Sequence, residues 1–415
     1  MMSRHVTNWA GNVTFCAEHL YRPTSVAELQ GIVARAYRAR ALGSGHSFNR
    51  IADTRGDLIA VDRLPPVIDI DSAQMSVRVS AGTRYGELAA QLQRHGLALH
   101  NLGSLPHISV AGACATGTHG SGNTNPTLAS AVRSVTFVAA DGALMTLSRG
   151  DTGFDGAVIS LGAMGIVTSL VMDVRPTFDV EQYVYEGLAW DSLLTHFDTI
   201  MASGYSVSVF TDWQRPGQIW VKRRCGDPLR ELTPTAAHLA GRPVHPVAGL
   251  PATNCTQQMG VPGPWNERLP HFRVDFRPAT GDELQSEYFV PAVHATAALE
   301  AVHAVRARFA PLLQTSEIRT VAADQCWLSP SFRRDSVAIH FTWHPDTPAV
   351  TDTLANIEQA LAPFDARPHW GKLFTTRPEV LAGSYENWTD FARLMKIFDP
   401  VGKFGNSLIN QYFSL

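Results

Sequence analysis

Leu42-Gly43-Ser44-Gly45-His46-Ser47-Phe48-Asn49 is the stretch on which the reading of this 415-residue chain turns. Three small residues precede His46 and a fourth follows it. Glycine reaches backbone angles and close approaches that a Cβ forbids. Successive N–H groups in such a turn form a concavity that takes an anion. The stretch reads as a loop that wraps phosphate and holds one imidazole in a fixed direction. A Gly-rich surface turn with a chance histidine would look the same in isolation, so the rest of the chain has to decide.

Two further stretches repeat the theme. Residues 101–122 are rich in Gly, Ala, Ser and Thr and contain no Lys, Arg, Asp or Glu. A solvated loop is usually richer in charge. Backbone this small-sided is expected where it lies against something flat and large. Leu161-Gly162-Ala163-Met164-Gly165-Ile166-Val167 is similar and leads into a strand over 167–174.

Composition sets the class. The chain is 45% hydrophobic and 17% charged, long enough for two cores. A net charge of -3 and a pI near 6.6 give no field for nucleic acid or an anionic membrane. The five cysteines, at 16, 114, 225, 255 and 326, form no CxxC pair, which excludes a zinc knuckle and a redox dithiol. Scattered thiols in odd number fit a reducing compartment, hence the cytoplasm. Residues 1–17 lack the basic-then-apolar pattern of a signal peptide. No apolar run is long enough to span a bilayer.

In chain order, Ser25 and Glu28 have capping-box spacing ahead of a helix over 26–36. Strands over 58–61 and 76–80 follow, then a helix over 85–94 stopped by Gly96. Arg175-Pro176 breaks the pattern and marks a domain boundary. Beyond it the texture is α+β, with strands at 206–210 and 218–222, Pro-rich connections over 243–265, and helices at 292–308 and 352–361. The turn-rich stretch from Phe391 to Leu415 is expected to pack back on the first domain.

Two strands carry the polar chemistry. In residues 336–343 the odd positions are all apolar, whereas His340 and Thr342 share the other face. In residues 315–320, Glu317 and Arg319 share a face likewise. Either could be an ordinary sheet with its polar side in water. Arg367-Pro368-His369-Trp370-Gly371-Lys372 joins cations, rings and a glycine within six residues. A pocket lined by Ser104, Glu317, Arg319, His340, Thr342 and Lys372 would suit a ligand with several hydroxyls. Each unmatched buried polar group costs about 1–3 kcal/mol, so a polyol is accepted and an alkyl chain rejected.

These stretches together resemble the flavin-dependent oxidases of the vanillyl-alcohol oxidase type. Within them the chain is similar to the alditol oxidases and, more distantly, the sugar-lactone oxidases. The resemblance rests on residues 43–49, 104–112, 115–120, Glu317-Ile318-Arg319-Thr320, His340-Phe341-Thr342-Trp343 and His369-Trp370-Gly371-Lys372. It implies an α+β, two-domain fold of the vanillyl-alcohol oxidase/PCMH type. Residues 1–176, with 373–415 returning to them, would bind FAD, and residues 177–372 would form an α+β substrate-binding cap. It implies FAD bonded covalently through its 8α-methyl to His46. Cofactor contacts would come from Gly43, Ser44, Gly45, Ser47, Phe48 and Asn49, from Ser104, Ser109 and Gly112, and from Thr116, Gly117, Thr118, His119 and Val167.

The resemblance also implies substrate contacts from Ser104, Glu317, Arg319, Thr342 and Lys372. In the implied chemistry Lys372 and Arg319 stabilise a developing alkoxide and Glu317 orients Arg319. His340, with an unperturbed pKa near neutrality, collects the proton. A small polyol and O2 would be the only partners, with no nucleic acid and no membrane, and the protein would be a monomer. One departure is local: where the family often has Ala before the Ser104 segment, this chain has Gly103.

Overall fold

The computed structural model describes residues 6–228, 230–276 and 283–413. Residues 1–5 and 414–415, which belong to the terminal stretches read above, lie outside the described residues. Helices and strands are built around two antiparallel sheets and one small parallel one.

The parallel sheet joins His19–Tyr21, Asp57–Ala60 and Ala39–Leu42. The last of these strands delivers the chain into the loop of His46. Ser25 caps the helix Val26–Arg35, accepting a hydrogen bond from Glu28 N, as the capping-box spacing predicts. Beside it lies a five-stranded sheet in the order Ile68–Asp71, Ser76–Ser80, Ile166–Asp173, Val132–Val138, Leu144–Ser148. Residues 101–122 are less of a loop than expected, because Val110–Ala115 forms a short helix. Its small residues let it pack close to that sheet.

The second antiparallel sheet has nine strands. Asp179–Leu188, Gly217–Arg224, Ser206–Thr211, Leu313–Val321, Ser336–Trp343 and Leu284–Pro291 are adjacent in that order. All eight residues of Ser336–Trp343 are buried. Val337, Ile339, Phe341 and Trp343 pack against Ala298, Leu299 and Val302 of one helix and Val350, Leu354 and Ile357 of another. The polar face is therefore turned inward, toward the site, rather than to water. Leu284–Pro291 escaped the sequence reading: its Gln285, Ser286 and Glu287 break any apolar alternation, yet Ser286 and Glu287 are fully buried.

Arg175–Pro176 does not simply break the chain; it pairs with Leu97–Ala98 before the large sheet begins. The C-terminal stretch is more helical than its turn residues imply, with Trp388–Phe398 and Ser407–Tyr412. It bonds to residues of the N-terminal half. Lys403 Nζ donates to the carbonyls of Val33 and Ala140, each at 2.6 Å, and Asn406 Nδ2 to those of Arg50, Ile51 and Asp53. Buried Arg40 adds bonds to Leu161, Gly162 and Phe404 carbonyls, tying three distant segments together beneath the His46 loop.

Candidate active site

The inward face of the large sheet looks across a cleft at the glycine-rich loops. The cavity measures about 490 Å³, within the range of cofactor and small-ligand sites. One wall is residues 43–49. Gly45 has φ +71°, a left-handed conformation that a side chain would strain. A Cβ on Gly43 or Gly112 would collide with Ser109 Oγ. Ser44 and Ser109 exchange hydrogen bonds, each backbone N–H meeting the other's hydroxyl at 3.3 and 3.1 Å.

His46 lies in this wall. Both ring nitrogens are buried and neither makes a well-formed hydrogen bond. Burial, and the nearby Arg84 charge, lower its pKa to about 4, so the ring is neutral with a free lone pair. An unpartnered buried nitrogen costs free energy. A ring that offers its lone pair to a ligand bound along the loop fits a flavin attached there.

The opposite wall is a charge network centred on Glu287. Arg319 Nη2 bonds to its Oε1, and Lys372 Nζ lies 2.7 Å from its Oε2. Burial alone would raise this carboxyl, but Lys372, Arg319 and His119 hold it well below the usual carboxylate range. Burial lowers Lys372, and Glu287 opposes that. Lys372 Nζ also lies 2.7 Å from His340 Nδ1. An ammonium can only donate, so that nitrogen accepts, and Nε2 carries the hydrogen toward Thr342 Oγ1 at 3.0 Å. Those two contacts use two of the three Lys372 hydrogens, and the residue lines the cleft.

Two expectations change here. Glu317 shares Arg319 with Glu287: its Oε1 is 3.7 Å from Arg319 Nε as an ion pair and 2.7 Å from both Ser208 Oγ and His271 Nε2, while Glu287 takes the direct hydrogen bond from Arg319. Cross-strand register explains this, since Glu287 and Glu317 both lie opposite His340, one strand to either side. Nor does His340 have a near-neutral pKa; burial and the Lys372 charge push it well below the ordinary histidine value.

Most of the expected residues line this one cleft: Gly43, Ser44, Gly45, Ser47 and Phe48 beside His46, then Ser104, Ser109, Gly112, Thr116, Thr118, His119 and Val167. Glu317, Arg319, His340, Thr342 and Lys372 face them. Gly117 stands apart, with φ +71° and its Cβ position 3.2 Å from Pro330 Cδ; it serves a turn. Asn49 reaches the cleft, but its side chain is spent on the protein. Its amide donates to Trp370 O and Lys372 O, and its oxygen accepts from Ile51 N. The sequence reading missed Glu287 and His271, which have no motif around them. His119 Nδ1 lies 2.7 Å from Gly120 O and its Nε2 lies 3.3 Å from Glu287 Oε1, so both ring nitrogens face acceptors.

Comparison with known proteins finds relatives along nearly the whole chain. The family described as FAD binding domain matches residues 17–148, and that described as D-arabinono-1,4-lactone oxidase matches residues 282–412. The chain is 52% identical over 415 residues to alditol oxidase from a Streptomyces species, covering 99% of each. It is 28% identical over 422 residues to L-gulono-1,4-lactone dehydrogenase from Mycobacterium tuberculosis, covering 96% of each. Cholesterol oxidase from B. sterolicum has the same fold, with a TM-score of 0.80 over 99% of this chain and 96% of that one, at 16% identity.

Proposed function

This chain belongs to the alditol oxidase family, and we propose that it oxidises the terminal hydroxyl of alditols such as xylitol and sorbitol to the aldose. O2 is reduced to H2O2. FAD, the cofactor of this family's binding domain, supplies the hydride acceptor and the reaction with oxygen. The observation that carries the reading is the buried set Glu287, Glu317 and Arg319, with partly buried Lys372 paired to Glu287, facing the His46 loop across one cleft. Two carboxylates and two cations balance, and the set offers matched donors and acceptors to a chain of hydroxyls.

His46 would hold the flavin covalently, and residues 43–49, Ser104, Ser109, Gly112, Thr116, Thr118 and His119 would cradle it. Glu317, Thr342 and Ser104 receive the distal hydroxyls. Arg319 and the free Lys372 hydrogen meet the reacting oxygen, where prepositioned charge in a dry pocket stabilises a developing alkoxide. The hydroxyl proton passes to Lys372 Nζ as Lys372 passes one to His340 Nδ1, which is already within 2.7 Å. His340 thus collects the proton through Lys372, and its depressed pKa favours releasing it afterwards.

Residues 1–176 with 373–415 form the FAD-binding domain of this reading, and residues 177–372 the cap. The Lys403 and Asn406 bonds to the N-terminal half support the return of the tail. Among the described residues no helix is long and apolar enough to cross a membrane. The unpaired cysteines fit a cytoplasmic protein, and the reading is of a monomer.

The match of residues 282–412 to a lactone oxidase family favours a second reading, a lactone oxidase or dehydrogenase. Anaerobic titration with xylitol, sorbitol and an aldonolactone side by side separates the two, followed by peroxide assay in air. Bleaching of the flavin by the polyols with stoichiometric peroxide is expected; bleaching by the lactone alone overturns the alditol reading.

A further inference from the structure

The His46 loop takes its shape from a turn near the N-terminus that no motif announced. Trp9 N–H donates to Gly45 O at 2.8 Å. Asn8 Nδ2 donates to Ser47 O at 2.9 Å, and Asn12 Nδ2 to Phe48 O at 2.8 Å. The turn closes on itself through Val13 N–H to Asn8 Oδ1 at 3.0 Å. Every bond from the turn to the loop lands on a backbone carbonyl flanking His46, so together they set the direction in which its side chain leaves the backbone.

The Trp9 indole then lies on the imidazole itself. The ring centroids are 5.0 Å apart and the planes 14° from parallel. Trp9 also meets Phe48 edge-on at 6.2 Å, and packs against the hydrophobic cluster of the large sheet. Its plane is therefore held from behind. A ring stacked on one face cannot leave its plane without losing that contact, so the two nitrogens are confined to that plane.

We propose that Trp9 is a positioning residue for the bond between His46 and the flavin: it holds the imidazole plane so that a ring nitrogen faces the 8α-methyl group. The inference rests on the covalent reading above. The bond exchanges one 8α C–H for C–N. The methyl hydrogen, the imidazole N–H hydrogen and two electrons go to O2, so that CH3, HN and O2 become CH2–N and H2O2. Trp9 takes no electrons or protons; it reduces the orientations that the nucleophile samples.

The test is the rate of covalent incorporation. Full-length protein is prepared from riboflavin-limited cells, FAD is added in air, and samples are quenched in acid. Attached flavin is read by fluorescence on a denaturing gel and by intact mass, and bound FAD by the visible spectrum before quenching. Trp9→Leu is expected to bind FAD yet attach it about tenfold more slowly, the size of an aromatic pair contact. Trp9→Phe keeps a flat ring and should recover part of the rate. Equal rates for parent, Phe and Leu overturn the proposal. Acid-extractable flavin in the parent overturns the covalent reading and this inference with it; should Trp9→Leu not fold, Trp9→Met takes its place, and a parental rate of attachment in it overturns this inference alone.

Discussion

The Asn49 side-chain amide donates to the backbone carbonyl of Lys372 at 2.8 Å, across 323 residues of sequence. The same amide reaches Trp370 O at 2.9 Å, and Phe48 N–H donates to Gly371 O at 2.8 Å. The His46 loop and the turn that carries Lys372 are thus one hydrogen-bonded unit. Asn49→Ala leaves two inward carbonyls without donors, at about 1–3 kcal/mol each. Differential scanning should show lower thermal stability, and kcat should fall while attached flavin stays at the parent level.

Lys372→Met keeps the volume of the side chain and removes its charge and donors. Loss of a preorganised group at a developing oxyanion lowers kcat by about 10²–10³-fold. The acid-stable flavin content should be unchanged. Parental turnover of xylitol by this variant would remove Lys372 from the mechanism.

Glu287 opposes the effect of burial on Lys372. Glu287→Gln keeps the shape and removes the anion, so the Lys372 ammonium becomes easier to deprotonate. The alkaline limb of kcat/KM, where that ammonium is lost, should move toward acid by about one pH unit or more. An unchanged limb with unchanged kcat would show that Glu287 is only structural.

Gly103 leaves space beside the cofactor loops. A Cβ there would sit 3.6 Å from Thr118 Cγ2, 3.7 Å from His119 O and 3.8 Å from Ile108 Cδ1, all ordinary contacts. Gly103→Ala should therefore fold normally. If the space serves oxygen, stopped-flow reoxidation slows about tenfold, near 1.4 kcal/mol, while anaerobic reduction by xylitol is unaffected.

Asp324 is buried under Thr127 Oγ1 at 2.6 Å and Ser329 Oγ at 2.7 Å, and burial raises its pKa to about 6. A carboxyl raised in the folded state favours folding while protonated, and that benefit is lost as pH rises through about 6. Asp324→Asn has no such dependence. Measured by denaturant unfolding, the variant should gain about 1.4 kcal/mol on the parent between pH 5 and pH 8. A constant difference would mean that Asp324 does not titrate there.

What could be read from the sequence was whatever is local. The capping box at Ser25, the helix of Tyr85–Arg94, the alternating strand Ser336–Trp343 and the glycine loop around His46 each follow from neighbours a few residues apart. Period two placed His340 with Thr342, and Glu317 with Arg319, because a pleat allows nothing else.

What lay across the sheet or across the cleft could not be read this way. Glu287 sits in a strand whose polar residues hide its periodicity, and only cross-strand register brings it between two cations. Trp9 reaches His46, and Asn49 reaches Lys372, through contacts that no spacing encodes. Alternation fixes which face a side chain takes; only the packed chain decides what that face meets, because charge pairing and burial depend on groups far away in sequence.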